Sequence, residues 1–426
     1  MLQHFESNDC EFSRRQWLER SWRSVLMASC AGTLPLADQV YCFAQDGGDE
    51  PLGDDDAAQG QFPSKRISVV NFLSEDGQES SVEGRVLVRG NNGGLLVEDA
   101  SRRLWMITSA QFRDETKTER AFKFFDAAQL GSHMLEECRA AGIDADFHIH
   151  TTKNYVIAAA TPEAYSDWTG QLLERMQIAF RSYWKNRRFE LTELVAPLPV
   201  LILSDQAQFA KIAEFDRTPA SAKGQGYFLV TSNRIVLFDL TADDAASPAT
   251  TIAEVQRRAQ RIPASVATVV HEATHQIAFN RGMHRRYADN PVWLTEGMAM
   301  YFEAPDLKSR RGWSGIGKVN KARLFRFREF LKSRRKSDSI ETLVKDNRRF
   351  ADLESAIDAY SEAWALTYFL IRTRIREYSS FLKSVSQKQR LRWDSPEERL
   401  AAFNSVFESD LSKLDREFLS FTSRLR

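Results

Sequence analysis

A chain of 426 residues that is 43% hydrophobic is long enough for two or three packed units. Its 58 basic and 58 acidic side chains cancel, so no global field selects a membrane surface or a specific nucleic-acid partner. Four cysteines, three of them (Cys10, Cys30, Cys42) ahead of residue 45, exclude a disulfide scaffold. Loss of that leader would leave Cys138 alone.

The leader reads as an export signal. Ser13-Arg14-Arg15-Gln16-Trp17-Leu18 precedes an apolar stretch, 24–37, that is too short to span a bilayer and is interrupted by Gly32 and Pro35. The pattern resembles a twin-arginine signal, with Trp17 and Glu19 where Phe and Lys are usual. Arg-Arg pairs recur at Arg257-Arg258 and Arg348-Arg349, so position and the following apolar run carry the reading. Residues 1–44 are therefore expected to direct the chain to the periplasm or beyond, with cleavage after Ala44 and Cys42 at the −3 position. A lipoprotein reading at Cys30 is weaker, because Met27 stands where a branched aliphatic is normal. No transmembrane helix is expected. Residues 45–62, acidic and glycine-rich, read as a linker.

Residues 63–115 read as a small all-β module. Strand composition appears at 67–72, 84–88, 95–98 and 104–107, with turn signals at Asp76-Gly77, Asn91-Asn92-Gly93-Gly94 and Asp99-Ala100-Ser101. Four strands are marginal alone, so the module is expected to pack on its neighbour.

Mixed α/β character follows. Residues 127–141 have helical composition, 147–150 and 155–158 read as a hairpin, and Pro162 opens a long helix through Trp184. His148 and His150 share one strand face, but no third ligand lies nearby, so they read as half-buried or surface histidines. Residues 199–203 read as a buried strand. A hairpin of 224–230 and 235–238 around Thr231-Ser232-Asn233 comes next.

The chemistry-bearing stretch is Val269-Val270-His271-Glu272-Ala273-Thr274-His275-Gln276-Ile277. On a helix, residues four apart leave one face about a turn apart, so His271 and His275 can share a tetrahedral zinc ion. Glu272, rotated by about 100°, is aimed at water rather than metal. Pro263 suits the first turn of this helix, Val266, Val269, Val270, Ala273 and Ile277 form its apolar stripe, and Gly282 is the expected stop. A catalytic site needs a third protein ligand. In Asn290-Pro291-Val292-Trp293-Leu294-Thr295-Glu296-Gly297-Met298-Ala299, Asn290 is expected to cap a second helix, Pro291 to occupy its first position and Glu296 to lie in its second turn. Asp289 is the alternative ligand.

The final third is helical. Residues 319–331 alternate basic and apolar side chains. Residues 352–375 carry Tyr360, Trp364, Thr367, Tyr368 and Ile371 on one side, Ser395-Pro396-Glu397-Glu398 starts a helix, and Leu411, Leu414, Phe418, Phe421 and Leu425 mark a last amphipathic one. Lys308 to Lys336 holds twelve basic residues and one acid, Glu329. It reads first as a solvated helix, and otherwise as a patch for an anionic partner.

His271-Glu272-x-x-His275 with Trp293-Leu294-Thr295-Glu296-Gly297-Met298-Ala299 resembles the gluzincin zinc metallopeptidases, most closely the uncharacterised bacterial gluzincin-like families. The metzincin pattern fails at Ala278 and Arg281, and the Gly-x-Met-Glu-Asn grip of the aminopeptidases is missing. The resemblance implies an α+β peptidase region over 116–426: a small sheet, an active-site helix and a helical C-terminal part. It implies one zinc ion on His271, His275 and Glu296, with Glu272 as general base for hydrolysis of a peptide or protein substrate. It also implies an oxyanion donor from a later helix, for which Tyr360 is the candidate. A substrate-pairing strand before the zinc helix would include Gly226 and Tyr227. Some gluzincins place an acid one turn after the Glu ligand; here that position is Met300. The alternative from another class is a non-catalytic zinc-containing binding module of the cell envelope.

Overall fold

The computed structural model describes residues 65–241, 248–304, 315–352, 354–407 and 410–426. The expected export signal (1–44) and linker (45–62) lie outside the described residues. The fold is mixed α+β, with a small sheet near the N-terminus and a helical C-terminal part. No described helix is long and apolar enough to cross a membrane.

The first sheet contains β1 (Arg66–Leu73), β2 (Glu79–Arg89), β3 (Leu95–Asp99), β4 (Leu104–Ile107) and β5 (Phe112–Ala121). Its order is β4-β3-β2-β1-β5, antiparallel throughout. The four expected strands are present. β5 is an addition, and the expected boundary at 115 falls inside it. Its sequence, FRDETKTERA, lacks apolar alternation because it is an edge strand wet on both faces. Polar groups hold it instead: Ser68 donates to Glu115 (2.7 Å) and Asn71 to Asp114 (2.8 Å). One sheet face closes over Val70, Phe72, Val82, Leu95, Val97 and Ile107. The other, with Leu87, Val88, Leu96 and Leu104, packs on Tyr287 and Leu391. The small sheet therefore rests on the body of the protein, as its size requires.

The second sheet contains β6 (His148–Thr151), β7 (Tyr155–Ala159), β8 (Leu198–Leu203), β9 (Gly226–Leu229) and β10 (Arg234–Phe238), in the order β6-β7-β8-β10-β9. β7, β8 and β10 are parallel, and the two edge strands are antiparallel to their neighbours. The parallel strands are apolar on both faces because helices cover both. On one side lie α1 (Ala127–Ala140) and α3 (Gln206–Phe215), packed on Val156, Leu201, Tyr227 and Val236. On the other lie α2 (Glu163–Lys185), α4 (Ile252–Ala259) and α5 (Pro263–Asn280), packed on Ile157, Val200, Phe228 and Ile235. Arg234, fully buried, is neutralised by Asp216 (2.9 Å) and by Glu137.

α6 (Val292–Phe302) is followed by α7 (Lys321–Ser333), α8 (Ser339–Lys345), α9 (Arg348–Ala351), α10 (Ala356–Thr373), α11 (Ile375–Ser386), α12 (Pro396–Val406) and α13 (Leu411–Ser423). α12 opens with the expected capping box of Ser395 and Glu398. The one-sided stripe expected on α10 is an underestimate. Every residue from Asp358 to Ile371 is buried, because other helices surround it. Of the basic stretch, 308–314 lies outside the described residues. Of the rest, Arg323 pairs with Glu303 and Arg335 with Glu362 and Asp415 under cover, while the exposed Arg334 pairs with Asp358 and the exposed Arg328 donates to the Leu425 carbonyl.

Candidate metal centre

α5 begins with Pro263 at its first position and is buried along almost its whole length. It ends where Gly282 turns left-handed (φ +74°), letting the N–H groups of Met283 and His284 return to the Ala278 carbonyl. α6 follows after a loop. Pro291 precedes its first residue, and its carbonyl accepts the N–H groups of Leu294 and Thr295. Asn290 does not cap this helix as expected. Its side-chain amide donates to the carbonyls of Arg285 and Ala288 (2.8 Å each), so it fixes the loop instead. Asp289, the alternative ligand, is buried and bound to Lys388 (2.7 Å) and Arg399.

Gly297 sets how close α6 comes to α10. A Cβ there would lie 2.1 Å from Thr367 Oγ1 and 2.7 Å from the Ala363 carbonyl oxygen. With Gly297 against α10, Glu296, one residue round the helix, turns its carboxylate to α5.

His271, His275 and Glu296 converge, all three buried. The two Nε2 atoms are 3.0 Å apart. Glu296 Oε2 is 3.2 Å from His271 Nε2, and Oε1 is 3.3 Å from His275 Nε2. Donors about 2.0–2.1 Å from a tetrahedral ion stand roughly 3.3 Å from one another, so the three atoms fit one small divalent metal. Two imidazoles and a carboxylate are also the donor types that suit zinc. Among the described residues no other His, Cys, Asp or Glu group of three has this spacing.

Glu303 completes the surroundings. Its Oε2 lies 2.6 Å from His271 Nδ1, while its Oε1 accepts from Asn320 Nδ2 (2.8 Å) and Arg323 Nε (3.2 Å). A carboxylate on the far ring nitrogen fixes a ligating histidine's tautomer and raises its basicity. Sequence reasoning missed it. Its signal in the sequence is an acid two turns after Glu296 on the same helix face, whereas the resemblance points to the position one turn after, which is Met300.

Burial is the largest influence on each charged group here, yet at three of the four the neighbouring charges together outweigh it. It opposes the charged form of His271, yet Glu296 and Glu303 together hold that imidazole up at about 10. Glu296 is held down to about 2, since the two histidines outweigh its burial. Glu303 is also below the ordinary carboxylate range, its burial being outweighed chiefly by Arg323. Glu272 goes the other way. Burial raises it to about 8, with His271 opposing and Glu296 adding to the rise. Neither of its carboxylate oxygens has a partner within normal hydrogen-bonding reach. The Phe228 N–H of β9 lies on that side and favours the anion.

β9 is an edge strand beside α5, and Gly226 makes room for the side chain of Leu237 on β10, whose Cδ2 a Cβ there would meet at 2.5 Å. Tyr227 turns its side chain to the opposite face of the sheet, where it donates to Asp216 (2.7 Å). It can serve this side of the strand through its backbone only. Tyr360 is buried on α10, edge-on to Phe350 at 5.2 Å between ring centroids. It shares a helix face with Ala363 and Thr367, the residues that meet Gly297. His148 and His150 stay apart from the metal group, beside Ser166 (2.8 Å) and Asp167 (3.6 Å).

A protein-family profile described as "Protein of unknown function (DUF1570)" matches residues 265–392, which include all three candidate ligands, Glu303 and Tyr360. No curated protein matches the chain.

Proposed function

We propose that this chain is a zinc-dependent hydrolase of peptide bonds, built as a gluzincin-type site and exported from the cytoplasm. The observation that carries the reading is the buried convergence of His271, His275 and Glu296 beside an unpartnered Glu272. When bound there, zinc supplies Lewis acidity toward water and toward a carbonyl oxygen. The protein's own groups do the rest. Glu303 holds His271 in the tautomer that presents Nε2 to the metal, and Asn320 and Arg323 hold Glu303. Glu272, one residue along α5 from a ligand, would be kept ionised by a divalent cation beside it, and would then accept the proton of the attacking water and return it to the leaving amine. β9, the buried edge strand of the second sheet, is the proposed source of backbone groups for an extended peptide. Tyr360 is the side chain proposed to donate to the developing oxyanion.

The reading is tested by cleavage of a proteome-derived peptide library with the purified protein, followed by mass spectrometry, with and without a chelator. Cleavage that chelation abolishes and zinc restores supports it. A protein that carries zinc and cleaves nothing supports a zinc-containing binding module instead.

A further inference from the structure

The seam between the first sheet and the α5–α6 loop holds more positive charge than it neutralises. Arg85 on β2, Arg102 in the β3–β4 turn, Arg286 in the α5–α6 loop and Arg390 beyond α11 gather around Glu98 of β3. Glu98, 4% exposed, accepts from Arg85 (2.6 and 3.0 Å) and from Arg286 (2.9 Å). Arg286 also donates to the carbonyls of Arg102 (2.8 Å) and Val230 (3.2 Å), and Arg390 donates to the carbonyl of Arg286. Arg102 and Arg85 lie over the same ring, Phe124, at 5.2 and 5.0 Å. The Nε and Nη1 atoms of Arg102 are buried and have no hydrogen-bond partner.

The next carboxylate, Asp99, is already committed. It accepts from Ser101, from the Arg103 N–H and from Trp105 Nε1. Its donors are neutral, so its charge still acts on Arg286, and four guanidiniums facing Glu98 and Asp99 leave two positive charges at a mostly buried seam. Charges in such places are normally paired. Burial and the neighbouring Arg286 push both Arg102 and Arg390 down to about 10, the mark of cations crowded together. Arg85, Arg102 and Arg390 are half-buried and so keep part of their surface in solvent, whereas Arg286 is buried.

We propose that Arg85, Arg102, Arg286 and Arg390 form a binding site for a small multivalent oxyanion of the phosphate type. Planar guanidinium forks match the oxygens of such an ion in pairs, and a dianion would cancel the excess of two positive charges. The bound ion would tie the N-terminal sheet to the loop that joins the two ligand-bearing helices.

Calorimetric titration with inorganic phosphate tests this, with chloride at matched ionic strength as the control. The protein is first freed of metal by chelation, so that phosphate on a metal ion cannot contribute. The wild type should bind phosphate saturably, with sulfate competing. Arg102→Asn should weaken binding by about tenfold or more. Asn suits this position because the Arg102 backbone is left-handed (φ +75°), a conformation Asn tolerates. Glu98→Gln should tighten binding, since it removes the competing carboxylate. Absence of saturable uptake by the wild type overturns the proposal whether or not the variants fold. Unchanged affinity in a folded Arg102→Asn also overturns it.

Discussion

Replacing Glu303 by Gln tests how the metal centre is held. The carboxylate now accepts on both sides, from His271 Nδ1 at 2.6 Å and from Asn320 and Arg323 at 2.8 and 3.2 Å. An amide of the same shape has one accepting oxygen and one donating NH2 group. With the oxygen toward His271, its NH2 opposes two donors. Turned over, it opposes the His271 N–H. Neither orientation satisfies both sides, and His271 loses the anionic partner that raises its basicity. Loss of such a partner typically weakens metal binding 10–100-fold, or about 1.4–2.7 kcal/mol. The assay is zinc affinity by competition with a chromophoric chelator, beside thermal unfolding of the metal-free protein to separate affinity from fold stability. Zinc affinity within about twofold of wild type would refute the role given to Glu303, since twofold is only about 0.4 kcal/mol.

Gly297→Ala should cost about 1–3 kcal/mol of stability by overpacking against Thr367 and Ala363, read from urea unfolding; an unchanged midpoint would show that α6 and α10 can part freely. Burial raises the Glu137 pKa, but Arg234 and Arg103 outweigh it and hold the group below 4.5, so its contribution is complete above that pH and disappears as pH falls through the lower folded value. Unfolding free energy should therefore fall on acidification below pH 4.5, and less steeply in Glu137→Gln than in wild type; parallel profiles would contradict this. Lysine at both Arg14 and Arg15 should retain the protein in the cytoplasm, as judged by cell fractionation, because a twin-arginine receptor distinguishes guanidinium from ammonium; normal export of the variant would remove that signal.

The parts most legible in the sequence were those whose cause is local. Pro263 and Gly282 bound α5, and the four-residue spacing of His271 and His275 puts their rings on one face. The apolar runs at 155–159 and 198–203 follow from helices on both faces of a parallel sheet. The period of a strand already implied that Gly226 and Tyr227 face opposite ways, so the side chain of Tyr227 was separable from Gly226 by parity alone. What escaped depends on distant partners. β5 has no apolar pattern, because the sheet edge asks only for backbone pairing and cross-strand polar contacts. The basic run looked free because Asp358, Glu362 and Asp415, which pair with Arg334 and Arg335, are at least 24 residues away in the chain. Asn290 has cap chemistry at a cap position, yet the carbonyls of Arg285 and Ala288 take its amide first.

The central claim is that Glu272 serves the reaction while Glu296 serves the metal. Zinc content by elemental analysis, measured beside peptide hydrolysis in Glu272→Gln and Glu296→Gln, separates the two roles. Gln at 272 keeps size and polarity but cannot take a proton near neutral pH, so zinc should stay bound and hydrolysis should fall by about 10²–10⁴. Gln at 296 removes the anionic donor from a site otherwise made of two imidazoles, so zinc itself should be lost. A Glu272→Gln protein without zinc, beside a Glu296→Gln protein that is loaded and active, would contradict the account.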